Sequence, residues 1–208
     1  MEILPKLFGS KERVKLMRLF LSNPNLYFSL TDMVRRTKVP SRTVKRELES
    51  LQDIGFVSVK KLAILAVPEN GNKKKKKKQA ATRSLVWQIN PDFFFAEHLR
   101  SMFNADFFAG QDDLAERFKN CGKIKLVIIS GLFIQDGGTR ADILVVGDDL
   151  RRVAIENVIS VIESEIGREL TYAILETQEY LFRLTSSDRF VRDITDYPHK
   201  RLIDRLSD

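Results

Sequence analysis

The 208 residues contain one cysteine, two histidines and one tryptophan. A single thiol, Cys121, cannot close an intrachain disulfide, which excludes the stapled frameworks of small secreted domains and makes a reducing compartment the expectation. With only His98, His199 and Cys121 available, no cluster has zinc-ligand spacing, and no metal site or cofactor is expected. Long apolar runs are missing as well. Stretches such as LVIIS and ILVV are strand-sized, whereas a spanning helix needs roughly 20 apolar residues, so no transmembrane segment and no membrane partner are expected. The opening MEILPKLFGSKERVK lacks the apolar run of a signal peptide, and the expected location is cytoplasmic.

What is present is enough apolar material, 43% of residues, to bury the core of one large domain or two small ones. The charge argues for two. Residues 1–90 carry 20 Lys+Arg against 7 Asp+Glu, a net +13, while residues 91–208 carry 15 against 21, a net −6. Halves of opposite sign have different electrostatic characters and therefore different partners.

In SKERVKLMRLFLSNP, Ser10 is a good N-cap and Val14, Leu16, Met17, Phe20 and Leu21 recur at helical spacing until Asn23-Pro24 ends the run. A shorter helical stretch follows from about Leu30 to Thr37, stopped by Pro40. A third opens on Ser41, sets Val44, Leu48, Leu51 and Ile54 on one face, and breaks at Gly55. Its other face carries Arg42, Thr43, Lys45, Arg46 and Glu49. From Gly55 the period changes to two, in FVSVKKLAILAV and, after a loop, RSLVWQIN, as in a β-hairpin.

The stretch SLTDMVRRTKVPSRTVKRELESLQDIGFV resembles bacterial and archaeal winged helix-turn-helix regulators. The resemblance covers residues 10–90. It implies that residues 41–53 enter the major groove of double-stranded DNA, with Ser41, Arg42, Thr43, Lys45 and Arg46 facing bases or phosphates. The hairpin tip carries six consecutive lysines, Lys73, Lys74, Lys75, Lys76, Lys77 and Lys78. Such a run repels itself and is expected to order only against a polyanion. Lysine is a point charge suited to phosphate, so the run serves affinity and not base reading. Neutralising about four phosphates with it would steepen the log-log salt slope by about 3 to 4.

Next, PDFFFAEHLRSMF begins with Pro91, a usual first helical residue, and crowds Phe93, Phe94, Phe95, Leu99, Met102 and Phe103 together. A helix apolar on so many sides is expected to pack between domains or against a second copy of the chain. From Lys123 the pattern is β-α-β-like: KIKLVIIS and ADILVV read as buried strands, RRVAIENVISVIESEI as a helix with Ile155, Ile159, Ile162 and Ile166 on one face, ELTYAIL as a third strand, and TQEYLFRLTSSDRFVRDI as helical.

Residues 123–208 resemble the minimal nucleotidyltransferase fold of the DNA polymerase beta superfamily, through Ser130-Gly131 after the first strand and Thr139-Arg140-Ala141-Asp142 leading into the second. Active members have Gly-Ser, then Ser-Asp-x-Asp, because carboxylates at i and i+2 on a strand point the same way and grip divalent metals against a triphosphate. Here Asp142 fills the second position but Arg140 fills the first, and a permanently charged guanidinium would pair with Asp142 where magnesium would sit. The small-residue pair is reversed, and the third strand has no carboxylate before Glu176. The resemblance therefore implies a retained scaffold without catalytic residues. Ser130, Gly131, Arg140 and Asp142, with Gly137 and Gly138, remain candidates for binding a phosphorylated ligand without metal.

The expectation is thus an α+β chain. A winged-helix DNA-binding domain of three helices and a β-hairpin spans residues 1–90, aromatic-rich connecting helices span 91–122, and a small mixed α/β nucleotidyltransferase-like domain spans 123–208. The expected function is DNA-binding transcriptional regulation, with the second domain forming a homodimer or sensing a nucleotide or protein effector. The rival is an active metal-dependent nucleotidyltransferase of toxin-antitoxin type with a nucleic-acid-binding domain. An RNA-binding adaptor ranks below both, because no aromatic platform for single-stranded bases can be picked out.

Overall fold

The computed structural model describes residues 3–64, 82–109, 113–134 and 141–206. The lysine run Lys73–Lys78 and Arg140, with Asp136, Gly137 and Gly138, lie outside the described residues. The chain is mixed α and β and divides into two units. One comprises Glu2–Phe103 with Ser164–Gly167, the other Asn104–Glu163 with Arg168–Asp208.

The first unit opens with α1 (Ile3–Phe8) and α2 (Lys11–Ser22). Ser10 caps α2 as its sequence position suggests: its Oγ accepts the Arg13 N–H at 3.0 Å and donates to Glu12 at 3.0 Å. At the other end Asn23 turns back, its N–H donating to the Phe20 carbonyl at 3.2 Å. A two-residue strand β1 (Phe28–Ser29) leads into α3 (Leu30–Thr37), which Ser29 and Asp32 start with reciprocal side-chain-to-backbone hydrogen bonds. This helix ends before Pro40 can stop it. Thr37 is buried, with its Oγ1 donating to the Met33 carbonyl at 2.6 Å and accepting the Val39 N–H at 3.3 Å, while Lys38 takes the left-handed conformation at φ 56°.

Helix α4 (Ser41–Asp53) ends in a Schellman turn. Gly55, at φ 73°, donates to the Gln52 carbonyl at 2.9 Å, and the Phe56 N–H donates to the Leu51 carbonyl at 2.9 Å. The turn folds Phe56 into the core and leaves Ile54 outside, 61% exposed. This corrects the periodicity, which grouped Ile54 with Val44, Leu48 and Leu51: at the C-cap the chain leaves the helical path, so the next i+3 position no longer lies on the same face.

Strands β2 (Val57–Ile64) and β3 (Thr82–Ile89) pair antiparallel from Val57 opposite Ile89 to Ile64 opposite Thr82. Phe28 of β1 stands opposite Trp87, giving the sheet order β1-β3-β2. Leu16, Leu19 and Phe20 of α2, Met33 of α3, Val44, Leu48 and Leu51 of α4, and Phe56, Val57 and Ile89 form one apolar core. Each large side chain there contributes about 1.5–3 kcal/mol by leaving water. Phe20 meets Phe28 and Phe56 edge-on at centroid distances of 5.8 and 6.4 Å.

Helix α5 (Ala96–Ala109) starts five residues later than Pro91 suggested. Asn90 delays it: its side-chain oxygen accepts the Asp92 N–H at 3.1 Å, its carbonyl accepts the Phe93 N–H at 3.1 Å, and its amide donates to the Gly55 carbonyl at 2.9 Å. Phe93, Ala96, Leu99, Met102 and Phe103 pack on the first unit's own core. Phe94 and Phe95 stay 80% and 57% exposed.

In the second unit, α6 (Leu114–Arg117) precedes β4 (Lys123–Ile129), a 3₁₀ turn (Gly131–Phe133) and β5 (Ile143–Asp148). Then come α7 (Arg152–Ile166), β6 (Tyr172–Glu176), α8 (Thr177–Thr185), α9 (Arg189–Thr195) and β7 (Lys200–Asp204). The sheet order is β6-β5-β4-β7. Strand β4 is antiparallel to both β5 and β7, whereas β5 and β6 are parallel, with α7 as the crossover that a parallel pair requires. Both central strands are buried along nearly their whole length, and the four isoleucines of α7, Ile155, Ile159, Ile162 and Ile166, are buried as their spacing predicts. Leu126, Ile128, Leu144, Val146 and Leu175 meet Tyr180, Val191 and Ile194 of α8 and α9 in one core.

Candidate nucleic-acid interface and phosphate loop

Helix α4 separates its residues cleanly. Val44, Glu47, Leu48 and Leu51 are buried, while Ser41, Arg42, Lys45, Arg46 and Glu49 are exposed and Thr43 is half-buried. The sequence-predicted DNA-facing residues thus share the solvent face of one helix. Pro40 occupies the N-cap without a side-chain hydrogen bond, and the first turn holds no acidic residue. The positive end of the helix dipole is therefore not neutralised locally, which favours an anion beside it.

Glu47, which the sequence pattern does not single out, ties this face to α2 from beneath. Its Oε2 accepts from Arg13 Nε at 2.7 Å and its Oε1 accepts from Arg46 Nη2 at 3.0 Å. Nothing in local sequence separates this Glu from Glu49, two positions on; only the helix phase against the apolar residues could have flagged it. On the sheet, Lys60 donates to Tyr27 Oη at 3.0 Å and lies 5.4 Å from the centre of that ring, and Lys61 beside it is exposed.

The second candidate site begins where β4 ends. Ser130 is buried, and its Oγ donates to the Ala141 carbonyl at 2.5 Å. Gly131 follows at φ 53°, in the left-handed region. Each oxygen of the Asp142 carboxylate accepts from backbone: Oδ1 accepts the Leu132 N–H at 2.9 Å, and Oδ2 accepts the Thr171 N–H at 2.9 Å. The Asp142 N–H donates in return to the Thr171 carbonyl at 2.6 Å. Ser130, Gly131 and Asp142 thus lie together in a clasp joining the end of β4 to the segment before β6. The expected pairing of Asp142 with Arg140 falls outside the described residues.

Among the described residues, Asp148, Asp149 and Glu176 sit away from Asp142. Asp148 lies six residues beyond Asp142, about 20 Å along an extended strand, and pairs with Lys125 at 3.2 Å. Asp149 pairs with Lys123 at 2.7 Å. Glu176 is in register with Gly147, at that same far end, and the residue bonded to Asp142 on this side is Thr171, just before β6. Among the described residues no group of three His, Cys, Asp or Glu side chains could hold a metal ion, and no helix is long and apolar enough to cross a membrane. No protein-family model, curated protein or solved structure matches this chain.

Proposed function

We propose that the chain is a DNA-binding transcriptional regulator whose first unit is a winged helix-turn-helix and whose second unit is a nucleotidyltransferase-like scaffold used for assembly or ligand sensing. The order α2-α3-α4 followed by an antiparallel hairpin supports the first assignment, with α4 as the reading helix. The observation that carries the reading is the solvent face of α4, where Arg42, Lys45 and Arg46 stand exposed on a half of the chain with net charge +13. A cationic helix face backed by a lysine-rich hairpin matches what duplex DNA attracts.

For the second unit, the alternation of β4, β5, α7 and β6 supports the nucleotidyltransferase-like assignment, and the engagement of both Asp142 oxygens by backbone N–H groups supports a role other than catalysis. A regulator of this kind works in the cytoplasm as a homodimer and reads an inverted repeat whose half-sites are about one helical turn apart.

Selection of the full-length protein on a random duplex library at near-physiological salt tests the reading. An enriched inverted repeat is expected. Arg42→Ala should then weaken binding to the selected site about tenfold or more, and deletion of Lys73–Lys78 should weaken binding to every duplex and flatten the salt slope. Salt-sensitive binding with no enriched sequence would reduce the basic half to an electrostatic anchor and overturn the proposal.

A further inference from the structure

Among the described residues Glu47 is the only Asp, Glu, Lys, Arg or His side chain that is buried, at 2% exposure. It occupies a position where the spacing of Val44, Leu48 and Leu51 would suit leucine or methionine, and a well-packed apolar residue at such a site commonly stabilises a fold at least as well as an ion pair. Its carboxylate is held by two guanidinium groups, one on each oxygen. Arg13, on α2, donates from Nε at 2.7 Å and also reaches the Phe8 carbonyl with Nη1 at 3.4 Å. Arg46, the preceding residue on α4, donates from Nη2 at 3.0 Å while its side chain stays 72% exposed.

We infer that Glu47 is a positioning residue for DNA recognition: from the buried side of α4 it fixes the Arg46 guanidinium so that its outer edge meets a guanine in the major groove. This inference rests on the DNA-binding reading above. Arginine has five N–H donors in a rigid fork. One Nη2 hydrogen is spent on Glu47, which leaves the second Nη2 hydrogen and both Nη1 hydrogens for an end-on pair to guanine O6 and N7. A flexible exposed arginine loses rotamer freedom when it docks, whereas one already held in place loses less, and it also carries a fixed direction that discriminates bases. Arg13 completes the device. It balances the buried carboxylate, so the cluster presents a net positive charge to DNA instead of a neutral pair.

The same library selection, run on the wild-type chain, Arg46→Ala, Glu47→Gln and Glu47→Asp, tests this. Circular dichroism melts accompany each variant, and affinities are measured for the selected and a scrambled duplex. The wild type is expected to enrich a guanine at one position of each half-site. Arg46→Ala and Glu47→Gln should both erase that preference and no other, and each should cut the ratio of selected to scrambled affinity about tenfold. If Glu47→Gln fails to fold, Glu47→Asp, which keeps the charge but retracts the carboxylate from Arg46, should give the same loss at the same base position. Retention of the guanine preference in a folded Glu47 variant would overturn the inference while leaving the DNA-binding reading intact. A parallel loss on both duplexes with the ratio unchanged would also overturn it, assigning Glu47 a purely structural role. A wild-type chain that enriches no sequence would sink the DNA-binding reading and this inference together.

Discussion

Asp142 and Thr171 hold each other by two hydrogen bonds, the Asp142 N–H to the Thr171 carbonyl at 2.6 Å and the Thr171 N–H to Asp142 Oδ2 at 2.9 Å. With Leu132 N–H on Oδ1, the side chain ties together segments 10 and 29 residues away. Asn in place of Asp keeps one acceptor oxygen and turns an NH₂ group toward a backbone N–H. Asp142→Asn is therefore expected to destabilise the second unit by about 1–3 kcal/mol, lowering the melting temperature by several degrees. An unchanged melting curve would show that the clasp carries no stability. Loss of a transfer activity in this variant would point to a metal site only if the melt were unchanged.

Leu51 of α4 and Ile54, the C-cap residue, lie three residues apart, one buried and the other exposed. Leu51→Ala should cost about 2–5 kcal/mol, because it empties a buried site in the first unit's core. Ile54→Lys should stay within about 0.5 kcal/mol of wild type. Urea titrations of both variants check the pair, and a large loss from Ile54→Lys would contradict the Schellman turn as the end of the helix.

Asp32 starts α3 with its carboxylate on the Ser29 hydroxyl at 2.6 Å and the Ser29 N–H at 3.1 Å. Burial pushes its pKa up, but those two hydrogen bonds, with the neighbouring Arg35, outweigh the burial and hold the carboxyl below the ordinary carboxylate range. A folded-state pKa below the unfolded one means stability that is fully present above the unfolded value, about 3.9, and is lost as pH falls through the folded one. Thermal melts from pH 7 to pH 2.5 should therefore show the wild type losing more stability in acid than Asp32→Asn. Parallel curves would remove the carboxylate from the cap.

Gly147 is buried on β5 opposite Ile124, beside the irregularity in the β4–β5 ladder. A Cβ there would collide with the Lys123 carbonyl oxygen and come within 3.0 Å of Ile124 Cα, both backbone atoms of the neighbouring strand. Gly147→Ala is expected to destabilise the second unit by about 1–3 kcal/mol through forced strand displacement. A variant as stable as wild type in denaturant would mean that the strands separate there at little cost.

Much of the molecule was legible in one dimension. The bounds of α3 and α4, the period change after Gly55, the two central strands and the isoleucine face of α7 all follow from spacing, because each buries a face against whatever core exists. Strand β7 was not legible. Lys200, Arg201, Leu202, Ile203 and Asp204 show neither alternation nor a long apolar run, and they become a strand only through hydrogen bonding to β4. The division of residues 177–195 into α8 and α9 likewise rests on Ser187, at φ 56°, and on Asp188, which accepts the N–H groups of Phe190 and Val191.

For the candidate sites the same boundary holds. Residue types and helical phase alone determined that Arg42, Lys45 and Arg46 share a polar face, and that an arginine, not a carboxylate, stands two positions before Asp142, because both are properties of neighbours along the chain. Only the tertiary structure decided that Glu47 binds Arg13, 34 residues away, and that both oxygens of Asp142 are taken by the N–H groups of Leu132 and Thr171. A carboxylate's chemistry depends on what reaches it in space, and partners brought in by packing leave no periodic trace in sequence.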